Sequence, residues 1–309
     1  MKKVYVGTNW KMHKTIAEGI DYCRKLTTLA ADLDERIQLF IIPPHTHLTT
    51  LRKETGERLL LGAQNMHWEN EGPFTGEISP VMLKEIGIDL VELGHSERRQ
   101  YYNENDFDLN KKVLSALSHG LLPLLCIGES AEQKEFGISE EALAIQLKIA
   151  LKGVSPEQAG NMWIAYEPVW AIGSGGTEAE PDYVHRMHDF IRSVLVKLFG
   201  KEGNNIPLLY GGSVNRNNAI SYLHGQNVNG LFIGRSAWDL QKFTPILRDI
   251  EHFLKTNKYF LKFSFTFDYF RIKPFSLTKS KVYEKIRLKS KLNGSDPNEN
   301  CYWCRPQRI

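Results

Sequence analysis

The chain has 309 residues, 42% of them hydrophobic and 24% charged, with a net charge of +3. That is enough apolar material for one large domain plus an extension, or for two domains, while four scattered cysteines (Cys23, Cys126, Cys301, Cys304) are too few for a secreted disulfide framework. No uninterrupted apolar run reaches the ~18 residues of a membrane span, and Met1-Lys2-Lys3 runs straight into Val4 with no signal-peptide pattern, so a cytoplasmic protein is expected.

Short, β-rich apolar runs predict strands at Val4–Asn9, Ile37–Ile42, Leu59–Gln64, Leu90–Leu93, Leu121–Ile127, Met162–Tyr166, Ile206–Tyr210 and Gly230–Ile233. Helical patterns fall between them, as at Ile16–Ala31, Phe107–Ser118, Glu140–Leu151, Asp182–Phe199 and Ala219–Leu223, with Thr244–Leu254 after the last. Nearly continuous apolar strands, each followed by a helix, imply a parallel sheet covered on both faces. Eight such units in about 250 residues match the size of a closed (β/α)8 barrel. An open doubly wound sheet is the alternative, weakened because no G-x-G-x-x-G follows the first strand.

The rhythm stops near Lys255. Residues 256–309 hold 12 Lys and Arg against 4 Asp and Glu, a balance of +8, which leaves −5 for residues 1–255. The expected organisation is a barrel over 1–255 and a basic, Phe-, Lys- and Ser-rich extension over 256–309, irregular, partly disordered and without a catalytic role. A basic tail can attract nucleic acid or an anionic membrane, but neither partner is expected here. Cys301 and Cys304 have C-x-x-C spacing with no second Cys or His pair nearby, so no metal site is expected.

The ends of the predicted strands carry the chemistry. The first ends in Asn9-Trp10-Lys11, and a lysine at a barrel mouth suits an anionic substrate, although a solvated surface lysine would read the same. After the fourth comes His95, with Ser96 reading as the N-cap of the next helix and Glu97 in its first turn. A positive helix end disfavours imidazolium, so His95 is expected to be neutral and to donate a hydrogen bond. The sixth ends on Glu167, followed by Pro168, Val169, Trp170, Ala171 and Ile172 and a Gly-rich loop through Gly173, Gly175 and Gly176. A strand-end carboxylate under a mobile loop is a candidate general base; alone, it reads equally as a carboxylate paired with a nearby Lys or Arg. Small-residue turns after the seventh and eighth strands, around Ser213 and around Gly234 and Arg235, offer backbone N–H groups to a phosphate. The long loop Asn70 to Ser79, containing Thr75, suits a subunit interface.

Seven motifs in this order and spacing resemble the triosephosphate isomerase family from about Val4 to Leu254. They are N-W-K-M (Asn9 to Met12), Q-N (Gln64, Asn65), F-T-G-E-I-S (Phe74 to Ser79), G-H-S-E-R-R (Gly94 to Arg99), C-I-G-E (Cys126 to Glu129), Y-E-P-V-W-A-I-G (Tyr166 to Gly173) and Y-G-G-S-V (Tyr210 to Val214). The resemblance implies an α/β fold, a single TIM barrel, that interconverts glyceraldehyde 3-phosphate and dihydroxyacetone phosphate through an enediolate, as in glycolysis and gluconeogenesis, with no cofactor. It implies Glu167 as the base, neutral His95 as the electrophile, Lys11 stabilising negative charge and Asn9 orienting substrate. Glu97, Ser96 and Cys126 would support them, with Ser96 holding Glu167 when it swings out. Gly173, Ser213, Gly234 and the N–H of Arg235 would hold the phosphate, the segment from Pro168 would close as a lid, and Thr75 would reach a partner in a homodimer, with a tetramer left open.

The sequence departs from the family where the lid ends in Gly175-Gly176 instead of Gly-Lys, where Gly234-Arg235 replaces Gly-Gly, and at His13 and the stretch Met66-His67-Trp68. Arg235 would contact phosphate or point outward. An intact catalytic set with an altered rim suits a shifted substrate, so a four-carbon ketose phosphate such as erythrulose phosphate, met in polyol catabolism, is the second expectation. A non-catalytic barrel serving as scaffold or binding protein is the third, opposed by the intact set.

Overall fold

Eight parallel strands pair in chain order and the last closes onto the first. The strands are β1 (Val4–Asn9), β2 (Ile37–Ile42), β3 (Leu59–Ala63), β4 (Leu90–Leu93), β5 (Leu122–Ile127), β6 (Trp163–Tyr166), β7 (Leu208–Tyr210) and β8 (Gly230–Phe232). Closure is direct: Tyr5 of β1 registers with Gly230 of β8, and Leu209 of β7 registers with the same residue from the other side. This computed structural model describes residues 3–173 and 175–256. Apart from Thr256, the extension expected over 256–309, with Cys301 and Cys304, lies outside the described residues.

The barrel and the strand positions match the sequence expectation. The predicted β7 is shortened because Pro207 has no N–H to give a ladder; its carbonyl still accepts from Ile164. The long helices are α1 (Ile16–Asp32), α5 (Asp106–Ser118), α7 (Ser139–Ala150), α9 (Pro181–Phe199) and α11 (Leu240–Thr256). Shorter ones are α2 (Leu48–Leu51), α3 (Pro80–Ile86), α4 (Ser96–Tyr101), α6 (Ala131–Glu135), α8 (Pro156–Ala159) and α10 (Ala219–Leu223). Local chemistry starts them. Thr15 with Glu18, Ser130 with Gln133 and Ser155 with Gln158 form reciprocal capping boxes, while Pro80, Pro156 and Pro181 occupy first-turn positions where no N–H is needed.

Two apolar clusters separate the inside of the barrel from the layer under the helices. The larger joins strands to helices and includes Val6, Leu26, Ile41, Leu93, Val113, Leu143, Ile164, Leu195 and Ile250. The smaller takes alternate strand residues, Phe40 and Ile42, Leu90, Leu124 and Cys126, Trp163 and Ala165, Leu209 and Phe232, and fills the interior. Tyr5, Phe40, Trp163 and Phe232 pack there in tilted and edge-on pairs, with ring centroids 4.5–5.5 Å apart. The same alternation places Glu92, two residues after Leu90, and Asn9 on the inner face near the carboxyl ends. The bottom of the barrel is therefore closed by aromatic rings and the top is polar.

Phe40 is fully buried among these rings. We expect Phe40→Ala to lose about 3–5 kcal/mol in a denaturant titration, since the cavity cannot collapse inside a closed barrel. A loss below about 1 kcal/mol would show that the interior repacks freely.

Candidate active site

The carboxyl ends of the strands open into a cavity of about 680 Å³ that Asn9, Lys11, His95, Glu97, Glu167, Gly173, Ser213, Gly234 and Arg235 all line. Residues that are distant in sequence are thus brought to one place by the barrel.

Asn9 ends β1 and is buried. Its Oδ1 accepts from the Lys11 N–H at 2.6 Å and from Gln64 at 3.1 Å, and its Nδ2 donates to Glu92 at 2.6 Å. Lys11 is held in the left-handed region, with φ 53°. That conformation costs a non-glycine residue about 1 kcal/mol or more. Gln64 offsets it by donating to the Lys11 carbonyl at 2.8 Å. The Lys11 ammonium pairs with Glu97 Oε1 at 2.7 Å.

His95 follows β4 and is 5% exposed. The N-cap of α4 is His95 itself, which corrects the expectation for Ser96. The His95 Nδ1 accepts from the Glu97 N–H at 3.2 Å, and Ser96 is the first residue of the helix. An accepting Nδ1 carries no proton, so a neutral His95 presents Nε2–H to the cavity. Burial, with the charge of Lys11 adding to it, lowers the His95 pKa to about 4. The imidazole is therefore neutral at physiological pH.

Glu167 follows β6 and is 4% exposed. Its Oε2 has no hydrogen-bond partner and lies 3.9 Å from His95 Nε2. Gly211 lies beneath it: a Cβ there would sit 2.7 Å from Glu167 Cγ. Burial pushes the Glu167 pKa up to about 8, against the pull of Lys11. Among the described residues no hydrogen bond joins Ser96 to Glu167; the carboxyl faces the cavity in this conformation. Cys126, fully buried on β5, approaches Glu92 at 3.7 Å, and burial holds its thiol well above the usual range.

The predicted lid starts as a 3-10 turn, Val169–Ala171, anchored at its base. Buried Glu129 accepts from Trp170 Nε1 and from the Tyr183 hydroxyl, each at 2.8 Å, and from Tyr166 at 3.1 Å. Lys134 lies over the Trp170 ring at 3.4 Å. The Ala171 carbonyl accepts from Ser213 at 2.8 Å. The glycine at 176 has a steric reason, since a Cβ would come within 2.7 Å of Ala171 C and Ile172 O. The exposed Arg235 side chain donates from Nη2 to the lid carbonyl of Gly173 at 2.9 Å.

Three lining or supporting residues were not expected from the sequence. Trp238 donates to the Asn9 carbonyl at 2.8 Å and packs at a tilt against the His13 ring, with centroids 4.3 Å apart, and Lys242 lines the outer cavity. Glu92 is wholly buried under Asn9. A carboxylate inside an apolar strand was its one visible signal. Glu92, His95 and Glu167 offer ligand atoms within 4.8 Å of one another. The 3.9 Å from His95 to Glu167 exceeds the roughly 3.4 Å between two ligands of a tetrahedral ion, and the Lys11 charge beside them opposes a cation.

A closed barrel with a neutral histidine, a desolvated carboxylate and a lysine at its mouth defines an aldose–ketose phosphate isomerase. The triosephosphate isomerase family model matches residues 4–250, and the chain belongs to that family. It is 44% identical over 250 residues to the L-erythrulose-1-phosphate isomerase of Mesorhizobium japonicum, covering 80% of this chain and 97% of that one. It is 43% identical over 249 residues to the triosephosphate isomerase of Caldanaerobacter subterraneus subsp. tengcongensis, covering 80% and 99%.

The raised Glu167 pKa makes a stability prediction. An acid whose pKa is raised on folding from its ordinary 4.5 loses stability as the pH climbs from that value toward about 8. Glu167→Gln should therefore melt a few degrees higher than wild type at pH 8, at about 2–4 °C per kcal/mol, and the gap should close toward pH 4. Equal melting at pH 8 would contradict the desolvation of this carboxyl.

Proposed function

We propose that the enzyme interconverts glyceraldehyde 3-phosphate and dihydroxyacetone phosphate, with Glu167 as the proton carrier. The observation that carries this reading is the unpartnered Glu167 Oε2 facing the cavity, 3.9 Å from His95 Nε2. Glu167 would take the proton from the carbon next to the substrate carbonyl. His95, neutral because of burial, would give its Nε2 proton to the carbonyl oxygen and take one back from the neighbouring hydroxyl, shuttling a proton between the two enediolate oxygens. Lys11 would offset the negative charge of the enediolate, and Asn9 would orient the reacting end. Glu97 would steer the Lys11 ammonium. At the far end, N–H groups of Gly173, Ser213, Gly234 and Arg235 would hold the phosphate, with no cofactor in the chemistry. Closure of Pro168 to Gly176 would keep water from the intermediate.

A second reading is a four-carbon ketose phosphate. It is favoured by the relative named for L-erythrulose 1-phosphate and by the cavity's outer wall of His13, Trp238 and Lys242. The first substrate would place the enzyme in glycolysis and gluconeogenesis, the second in polyol catabolism. Turnover on glyceraldehyde 3-phosphate and on a four-carbon ketose phosphate, at equal subsaturating concentration, separates them. Faster triose turnover supports the first reading, and faster tetrose turnover replaces it with the second.

A cytoplasmic homodimer completes the proposal; among the described residues no helix is long and apolar enough to cross a membrane. It is supported by the exposed loop around Thr75 and by Phe74, Val81 and Met82, which are 39–49% exposed. Sedimentation would test the assembly.

Glu167→Asp withdraws the carboxylate by about one methylene from the carbon acid. We expect kcat to fall about 100-fold or more with an unchanged circular dichroism spectrum. Near-normal turnover would remove Glu167 from the role of base.

A further inference from the structure

The reaction scheme leaves one carboxyl unused. Glu92 is fully buried on the inner face of β4, and no ion pair reaches it among the described residues. Its Oε2 accepts from Asn9 Nδ2 at 2.6 Å, and the Cys126 thiol lies 3.7 Å from its Oε1. One oxygen lies within 4.8 Å of a carboxylate oxygen of Glu167 and of a ring nitrogen of His95. The charged or titratable groups around it are Lys11 after β1, His95 beyond its own strand, Cys126 on β5 and Glu167 after β6.

Asn9 has a single workable orientation here. Two donors, the Lys11 N–H and Gln64 Nε2, meet its Oδ1, so its Nδ2 must face Glu92. Glu92 therefore accepts one of the two Nδ2 hydrogens and fixes the plane of an amide that lines the cavity. Two carboxylates this close in a dry site do not both ionise. Glu167 is slightly exposed, lines the cavity and lies nearest to where charge and protons enter, whereas Glu92 lies beneath it with no exposure.

Resting on the isomerase reading, we infer that Glu92 is a positioning residue that stays a neutral carboxylic acid during turnover, orienting Asn9 and confining the negative charge beneath the substrate to Glu167. Burial and then the neighbouring Glu167 hold the Glu92 pKa well above the usual carboxylate range, in the same direction. A second anion at this depth would repel both the ionised base and the enediolate. The proton on Glu92 removes that repulsion while its carbonyl oxygen keeps the Asn9 contact.

The test compares wild type, Glu92→Gln and Glu92→Val in the pH dependence of kcat/KM. Glutamine keeps the acceptor and adds no charge, so the midpoint of the acid limb should stay within about 0.3 pH units of wild type. Valine removes the acceptor and frees the Asn9 amide, so kcat should fall about tenfold or more, with Gln recovering most of the loss. A midpoint lowered by about one unit or more in Glu92→Gln would mean that Glu92 is charged in the working enzyme. Undiminished kcat in Glu92→Val would remove its positioning role. Infrared spectroscopy above the acid limb, where Glu167 is ionised, should show a protonated-carboxyl band in wild type that Glu92→Gln lacks. Absence of that band in wild type would overturn the neutral state. That measurement needs no turnover, so it still decides the case for Glu92 if the wild-type enzyme isomerises neither sugar.

Discussion

A carboxylate oxygen held out of water without a donor is the constraint around which the mouth of this barrel is organised. Glu167 Oε2 has no hydrogen-bond partner, although Lys11 carries a charge nearby and His95 Nε2 is 3.9 Å away. A buried acceptor left unpaired costs roughly 1–3 kcal/mol, more when charged. The fold withstands that penalty because the surrounding elements are fixed by their own contacts. Gly211 leaves room behind the carboxyl, and the Glu167 N–H is tied to the Ile127 carbonyl at 2.7 Å. The same exclusion of water that weakens stability keeps the imidazole neutral.

The barrel supplies this environment through its two-residue alternation. Inner-face positions are aromatic and aliphatic at the amino ends and become Asn9, Gln64, Glu92, Cys126 and Glu167 at the carboxyl ends. Asn9, Gln64, Glu92 and Cys126 are joined to one another by hydrogen bonds. Asn9 links Lys11, Gln64 and Glu92 in a single network. Gln64 and Glu92 are each one hydrogen bond from Asn9. Around the segment after β6, Glu129 holds Trp170, Ser213 holds the Ala171 carbonyl and Arg235 holds the Gly173 carbonyl.

Much of this was legible in the sequence because strand ends and their turns are contiguous there. The apolar runs located every strand within about two residues, and Asn9, Lys11, His95 and Glu167 were legible as strand-end groups. Of the short helices, α10 and the start of α4 were legible, but α3 and α6 were not, since fewer than two turns show little 3.6-residue periodicity. The N-cap of α4 was misplaced by one residue because an imidazole can accept from a helix N–H as a serine hydroxyl does. Glu92 was hidden for another reason. A strand covered on both faces shows no alternation, so Leu-Val-Glu-Leu does not reveal that the glutamate faces inward toward Glu167. The partner of Arg235 was equally out of reach, as it lies 62 residues away on the lid.

The central claim is that one desolvated carboxylate carries a proton between adjacent carbons of the substrate. Running the reaction in D2O and locating deuterium in the product tests it most directly. A proton resting on Glu167 during the enediolate stage can exchange with solvent, so the product should carry deuterium on the carbon that receives the proton, from the earliest stages of conversion. A product wholly free of deuterium at that carbon would mean that hydrogen passes directly between the carbons without visiting Glu167, and would contradict the account.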